Sequence, residues 1–114
     1  MIENTVAKYL DERMNVPVNT ERKKTVPKEY ILIELTGSTK YDHCLRTDTI
    51  AVRAISTSLA KAASLLQKAE KILDVMPESV TNVSKADMVT DYNNTNTVLN
   101  IYRYQAVYQI SYHE

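Results

Sequence analysis

The chain reads as an α+β domain: an antiparallel sheet packed by two helices, in the order α-β-β-β-α-β-β. Three patterns carry that reading. From Tyr102 to His113 the even positions are Tyr102, Tyr104, Ala106, Tyr108, Ile110 and Tyr112. The odd positions are Arg103, Gln105, Val107, Gln109, Ser111 and His113. Alternation of period two over this length predicts a half-buried, antiparallel strand with a tyrosine face. Leu59, Ala62, Ala63, Leu66, Ala69, Leu73 and Met76 recur at helical spacing and predict a long amphipathic helix. Two further apolar alternations, Ile31-Ile33-Leu35 and Ile50-Val52-Ala54, predict strands ahead of that helix.

Taken in order, residues 3 to 14 form a short first helix, with Val6, Tyr9, Leu10 and Met14 on one side and Asp11, Glu12 and Arg13 on the other. Pro17 ends it, because the residue before a proline avoids the helical region. Val16-Pro17-Val18 is then an extended piece, an edge strand at most. Glu21 to Glu29 carries Arg22, Lys23, Lys24 and Lys28 with Pro27, and reads as an exposed polar loop. A strand spans Tyr30 to Thr36. Gly37, the only glycine, sits in Thr36-Gly37-Ser38-Thr39 and is expected in a turn that needs a positive φ or a close approach.

The next strand covers Arg46 to Ile55, and Ser56 or Thr57 is placed to cap the long helix. The alanines keep the apolar face of that helix flat enough to lie on a sheet. Pro77 is expected to close it. Residues 82 to 92 make another strand, with Ala86, Met88, Thr90 and Tyr92 on one face. Asp91 to Asn96, rich in Asn and Thr, is expected as a turn or a mobile tip that includes Asn93 and Asn94. Of the four tyrosines in the last strand, two are expected to cover the underside of the helix, with Tyr112 or Tyr102 left at an edge.

Composition bounds the function. At 114 residues the chain is one domain, residues 1–114, and 44% hydrophobic content is ordinary for a folded protein. Lys plus Arg and Asp plus Glu are equal at 14 each, which gives no electrostatic support for sequence-reading of nucleic acid. The one cysteine, Cys44, makes no internal disulfide and suits a reducing compartment. Met1-Ile2-Glu3-Asn4-Thr5 lacks the basic and apolar regions of a signal peptide, and no run approaches a membrane span; a soluble protein made in the cytoplasm is expected. Eight tyrosines with no Phe and no Trp imply rings whose hydroxyls meet water, a partner group or another subunit.

No catalytic, cofactor or metal site is expected. Asp42-His43-Cys44 is the only cluster resembling one, and with His113 it falls short of a zinc ligand set or an activated nucleophile. A single glycine builds no phosphate loop. Glu34, Asp48, Asp87 and Asp91 are scattered, with no spacing that pairs them for acid–base work. Arg22, Lys23, Lys24 and Lys28 form the one basic patch visible along the chain, which reads either as a solvated loop or as a surface for phosphates or an acidic partner.

Four passages resemble the small tail-terminator and tail-completion (head–tail joining) proteins of long-tailed bacteriophages and phage-tail-like particles. These are Val6-Ala7-Lys8-Tyr9-Leu10 followed by Val16-Pro17-Val18-Asn19-Thr20-Glu21; Pro27 through Gly37; Thr47-Asp48 through Ala54-Ile55-Ser56 with the Ala- and Leu-rich helix; and Arg103 through Ile110. The chain departs from the family pattern at Gly37-Ser38, where two glycines are common. The resemblance implies a non-enzymatic virion protein of the tail or neck, assembled in the bacterial host cytoplasm. It implies a homo-oligomeric ring, commonly a hexamer, on the head-proximal end of the tail tube. That ring would stop tube growth and meet the neck or connector, with no membrane and no sequence-specific nucleic acid involved. A heterologous contact repeated about an axis closes into such a ring. The interface candidates are then Arg22, Lys23, Lys24 and Lys28 in one loop, Asn93 and Asn94 at one tip, and Tyr112. The alternatives are a head-side adaptor of similar size, or a ligand- or peptide-binding α+β module outside any virion.

Overall fold

A computed structural model describes residues 2–21, 28–40, 45–95 and 101–113, with the side chains of Thr39 and Lys40 excepted. The elements are α1 (Ile2–Asp11), β1 (Val18–Asn19), β2 (Tyr30–Lys40), β3 (Leu45–Ser56), α2 (Leu59–Asp74), α3 (Met76–Ser79), β4 (Val83–Asn93) and β5 (Tyr102–His113). They build an α+β domain of two layers, with the helices on one face of a five-stranded sheet ordered β1-β2-β3-β5-β4. The four long strands are antiparallel. The sheet is nevertheless mixed, because two-residue β1 runs parallel to β2.

One face of every strand feeds a single core. Ile31 and Ile33 of β2, Ile50, Val52 and Ala54 of β3, and Ala106, Tyr108 and Ile110 of β5 are all fully buried there. Over them lie Val6 and Leu10 of α1 and Ala62, Leu66, Ala69 and Leu73 of α2. Each large side chain so buried contributes about 1.5–3 kcal/mol, so the two helical stripes and the three strand faces hold the fold together. Leu65 joins this core although it falls outside the expected stripe, and Leu59 is largely exposed instead.

Several boundaries differ from the sequence reading for identifiable reasons. The first helix stops at Asp11 rather than Met14, because the Asp11 carboxylate accepts from Val18 N at 3.3 Å and turns the chain into β1. The cap of α2 is Ser58, whose hydroxyl accepts from Lys61 N at 3.2 Å; Ser56 is still in β3 and donates to Glu29 at 2.8 Å. Pro77 does not end the long helix. It sits in the first turn of α3, where a missing N–H costs nothing.

Gly37 is not in a turn. It lies inside β2 paired with Thr49, its φ is outside the left-handed region, and an added Cβ would meet only ordinary contact with Thr49 Cβ at 3.7 Å. The irregularity beside it is a bulge at Thr36, whose hydroxyl donates to Thr49 O at 3.2 Å.

Two bulges also re-aim β4. The pairing shifts between Val83 and Lys85 and again between Met88 and Thr90. Met88 opposes the inward Tyr108, whereas Thr90 opposes the outward Val107, so the extra residue Val89 inverts the alternation. Ala86 and Met88 therefore share the helix side, and Thr90 and Tyr92 stand on the opposite face. The expected common face for all four does not form.

The tyrosine strand is interior. β5 pairs with β3 along its whole length and with β4 on its other side. Tyr108 and Tyr112 are buried, Tyr104 packs partly against the core, and Tyr102 is exposed beside Ser56. No helix among the described residues is long and apolar enough to cross a membrane.

Candidate interaction surface

Those of the residues singled out along the sequence that the structure describes scatter on folding. Arg22, Lys23 and Lys24 lie outside the described residues, as do Asp42, His43 and Cys44. Tyr112 is no surface group: it is buried, and its hydroxyl donates to Asp48 Oδ2 at 2.6 Å. The expected turn or mobile tip over Asp91 to Asn96 is strand as far as Asn93, where β4 ends, and Asn96 lies outside the described residues. Asn94 N donates to Arg103 O at 2.8 Å and its carbonyl accepts from Arg103 Nε at 2.9 Å; Asn93 Oδ1 accepts from Thr95 N at 3.0 Å. Asn93 itself is exposed at the end of β4. His113 is exposed at the end of β5, where its N–H donates to Asn82 O at 2.8 Å.

The scattered acids do not converge into one site either. Asp48 is completely buried on the helix side and accepts from Ser38, Tyr112 and Arg46 Nε, the last at 3.1 Å. Burial opposes its ionisation, but those hydrogen bonds and the Arg46 charge outweigh it and hold the carboxyl below its ordinary range. Asp87 pairs with Lys85 at 3.5 Å on the exposed face of β4, where such a pair contributes little.

What the fold does assemble is three surfaces. The first is the sheet face turned away from the helices. Arg53 donates to Glu34 and, through Nε at 2.7 Å, to Gln105 Oε1; Gln105 Nε2 donates to Tyr92 Oη at 2.7 Å, and Asn94 Nδ2 donates to Gln105 Oε1 at 2.9 Å. This rung links β2, β3, β5 and β4 in one hydrogen-bonded line, and the buried Gln105 amide at its centre fixes the side chains on either hand.

The second surface is a groove of about 530 Å³ between the α1–β1 connection and one flank of α2, lined by Arg13, Met14, Asn15, Val16, Glu29, Leu65, Lys68, Lys71 and Ile72. A shallower hollow sharing Asn15, Val16 and Glu29 extends it past Lys28 and Lys61. Five cations, Arg13, Lys28, Lys61, Lys68 and Lys71, thus line the two hollows together with Glu29, over an apolar floor. Arg13 is set in place by stacking on the Tyr9 ring at 3.8 Å and donating to Tyr9 O at 3.1 Å. Of the expected interface residues that lie among the described ones, only Lys28 belongs to it. Lys61, Leu65, Lys68 and Ile72 follow i, i+4, i+7, i+11 and were a helix stripe visible in the sequence.

The third surface is the other flank of α2, where Glu70 and Asp74 face Asp91 of β4. Glu70 Oε1 is buried with no hydrogen-bond partner among the described residues. Burial, the adjacent Asp91 carboxyl and the charge of Asp74 push its carboxyl up to about 7. Burial and the same acids raise the Tyr108 hydroxyl far above its usual range, so it stays neutral. Met88 and Val89, 44% and 57% exposed, lie on β4 next to this flank.

No protein-family model matches the chain, and no curated protein matches it in sequence.

Proposed function

We propose that the protein is a non-enzymatic structural component of a phage or phage-like tail. In this reading its copies form a ring, of hexameric order by resemblance, on the head-proximal end of the tail tube. The ring ends tube growth and joins the tail to the neck. The observation that carries an assembly role is the rung Glu34–Arg53–Gln105–Tyr92. It makes one sheet face a broad surface whose polar groups are already oriented, which lowers the ordering cost of docking another protein. A subunit with helices on one face and such a surface on the other has two unlike faces for two unlike neighbours, the tube and the neck.

The test is electron microscopy of particles made with the reading frame interrupted, beside a complemented control. Overlong or ragged tails with full heads unattached are the expected result. Tails of normal length on unattached heads move the protein to the head side of the joint. Intact particles refute the assembly role. The groove favours one second reading, a module that binds an anionic small molecule or peptide. A saturable rise in melting temperature with one such compound would support it.

A further inference from the structure

The two flanks of α2 carry opposite charge. Leu65 and Asp74 are nine residues apart, which at 3.6 residues per turn places them ~180° apart around the helix axis. The Leu65 flank, with Lys61, Lys68 and Lys71, opens into the groove beside α1. The Asp74 flank, with Glu70, faces Asp91 of β4. Asp74 Oδ1 accepts from the buried Tyr108 hydroxyl at 3.5 Å, but neither set of charges is neutralised by an ion pair among the described residues. Lys68 and Lys71 are exposed and in no ion pair among the described residues, and Glu70 sits among like charges with one buried oxygen unpaired. Both flanks also offer apolar surface: Met14, Val16, Leu65 and Ile72 on one, Met88 and Val89 on the other.

We propose that copies of this chain meet head to tail, the acidic flank of α2 with the adjoining β4 segment of one copy seating in the basic groove of the next. A lysine of the groove would then supply the cation that Glu70, Asp74 and Asp91 lack among the described residues. The apolar floor of the groove would cover Met88 and Val89. Because donor and acceptor surfaces lie on opposite sides of one helix, the contact is heterologous, and each copy keeps one of each surface open for further neighbours. This deepens the assembly reading and rests on it for the closure into a ring, while the contact itself rests on the charge and apolar pattern.

The experiment uses the purified full chain. Sedimentation velocity over a wide concentration range, at low and high salt, compares wild type with two double variants. Lys68→Glu with Lys71→Glu reverses the groove; Asp74→Lys with Asp91→Lys reverses the acidic flank. All four positions are exposed, and thermal unfolding of each variant checks the fold. The expected result is salt-sensitive association of wild type past the dimer, weakened about tenfold or more in each variant alone. Mixing the two variants should restore it, because each then meets a complementary flank.

A wild-type chain that stays monomeric at high concentration and low salt overturns the proposal. So does association that stops at a dimer, or that neither variant alters. Binding of a poly-glutamate peptide by a chain that never self-associates would give the groove to a different acidic partner. These results are independent of tail morphology, so the contact and the terminator role fail separately.

Discussion

Glu70→Gln should stabilise the free chain above neutral pH and do little near pH 5. The reasoning starts from the carboxyl itself. It is partly buried on α2, one oxygen lacks a partner, and Asp91 and Asp74 stand close enough to oppose its charge. In the unfolded chain it titrates near its ordinary 4.5; in the fold it is pushed up to about 7. Between those values the native state holds a proton that the unfolded state has released. Stability therefore falls as pH rises through this window, and the full cost is present above about 7. At 1.36 kcal/mol per pH unit the gap corresponds to about 3 kcal/mol. Solvent reaches part of the side chain, and screening reduces this to ~1–2 kcal/mol. Glutamine keeps the shape and cannot ionise. Urea unfolding followed by circular dichroism at pH 5 and pH 8 gives the difference directly, with other titrating groups cancelling between wild type and variant. The variant should gain ~1–2 kcal/mol at pH 8, a rise in melting temperature of roughly 4–8 °C, and gain little at pH 5. An equal gain at both values, or none at pH 8, would refute the idea that ionised Glu70 is penalised in the fold.

Three further outcomes follow from the interior. Tyr112→Phe removes the hydroxyl that donates to the buried Asp48 carboxylate at 2.6 Å, and should cost about 2 kcal/mol near neutral pH by urea unfolding. Because the Asp48 carboxyl is held below its ordinary 3.8, its stabilisation is present above that value and is lost as pH falls through the lower folded value, so the variant's deficit should shrink in strong acid. Leu66→Asp places a charge in the core of α2 with no partner; it should abolish the cooperative transition in calorimetry. Gly37→Ala should be neutral or raise the melting temperature slightly, by up to ~0.5–1 kcal/mol of stability, since the backbone there suits any residue and the added methyl makes only ordinary contact. A marked loss in that variant would mean the β2 pairing at Thr49 is wrong.

The sequence was readable where a pattern is written into neighbouring side chains. The alternation of Tyr104, Ala106, Tyr108 and Ile110 and the stripe Ala62, Leu66, Ala69, Leu73 are local consequences of period 2 and period 3.6, and both survive in the fold. What failed was set by partners far along the chain. The place of β5 between β3 and β4 depends on pairing Val52 with Ala106 across more than fifty residues, which no local pattern encodes. The bulge at Val89 leaves the alternation of Met88, Thr90 and Tyr92 regular on paper while inverting it in space; the pairing with β5 and the bond from Gln105 to Tyr92 reveal which face the ring takes. Gly37 misled for a related reason, because a lone glycine before Ser and Thr matches a turn, yet the adjacent bulge at Thr36 lets the strand continue. The groove needed α1 and α2 to bring Arg13 beside Lys68. Its α2 half was present as the i, i+4, i+7, i+11 stripe, whereas the basic residues expected to form an interface are grouped by adjacency in sequence, which says nothing about proximity in space.

The acidic flank has a consequence for why such a sequence persists. A domain of this size has a net stability of about 5–15 kcal/mol, so a standing cost of ~1–2 kcal/mol at Glu70 is a sizeable fraction of it. The cost is avoidable within the chain, since glutamine fits the same space. A carboxylate at this place, next to Asp91 and Asp74 and beside exposed Met88 and Val89, is explained if the free chain is not the working state. A cation from a neighbouring subunit would lower the Glu70 pKa and return the lost stability to the assembled form, coupling ionisation to association. Assembly would then be favoured above neutral pH, where Glu70 is charged, and Glu70→Gln would stabilise the monomer while weakening its contact with the next copy. Those two effects have opposite sign, so a purely structural role for Glu70 and an interfacial one separate in a single variant measured both ways.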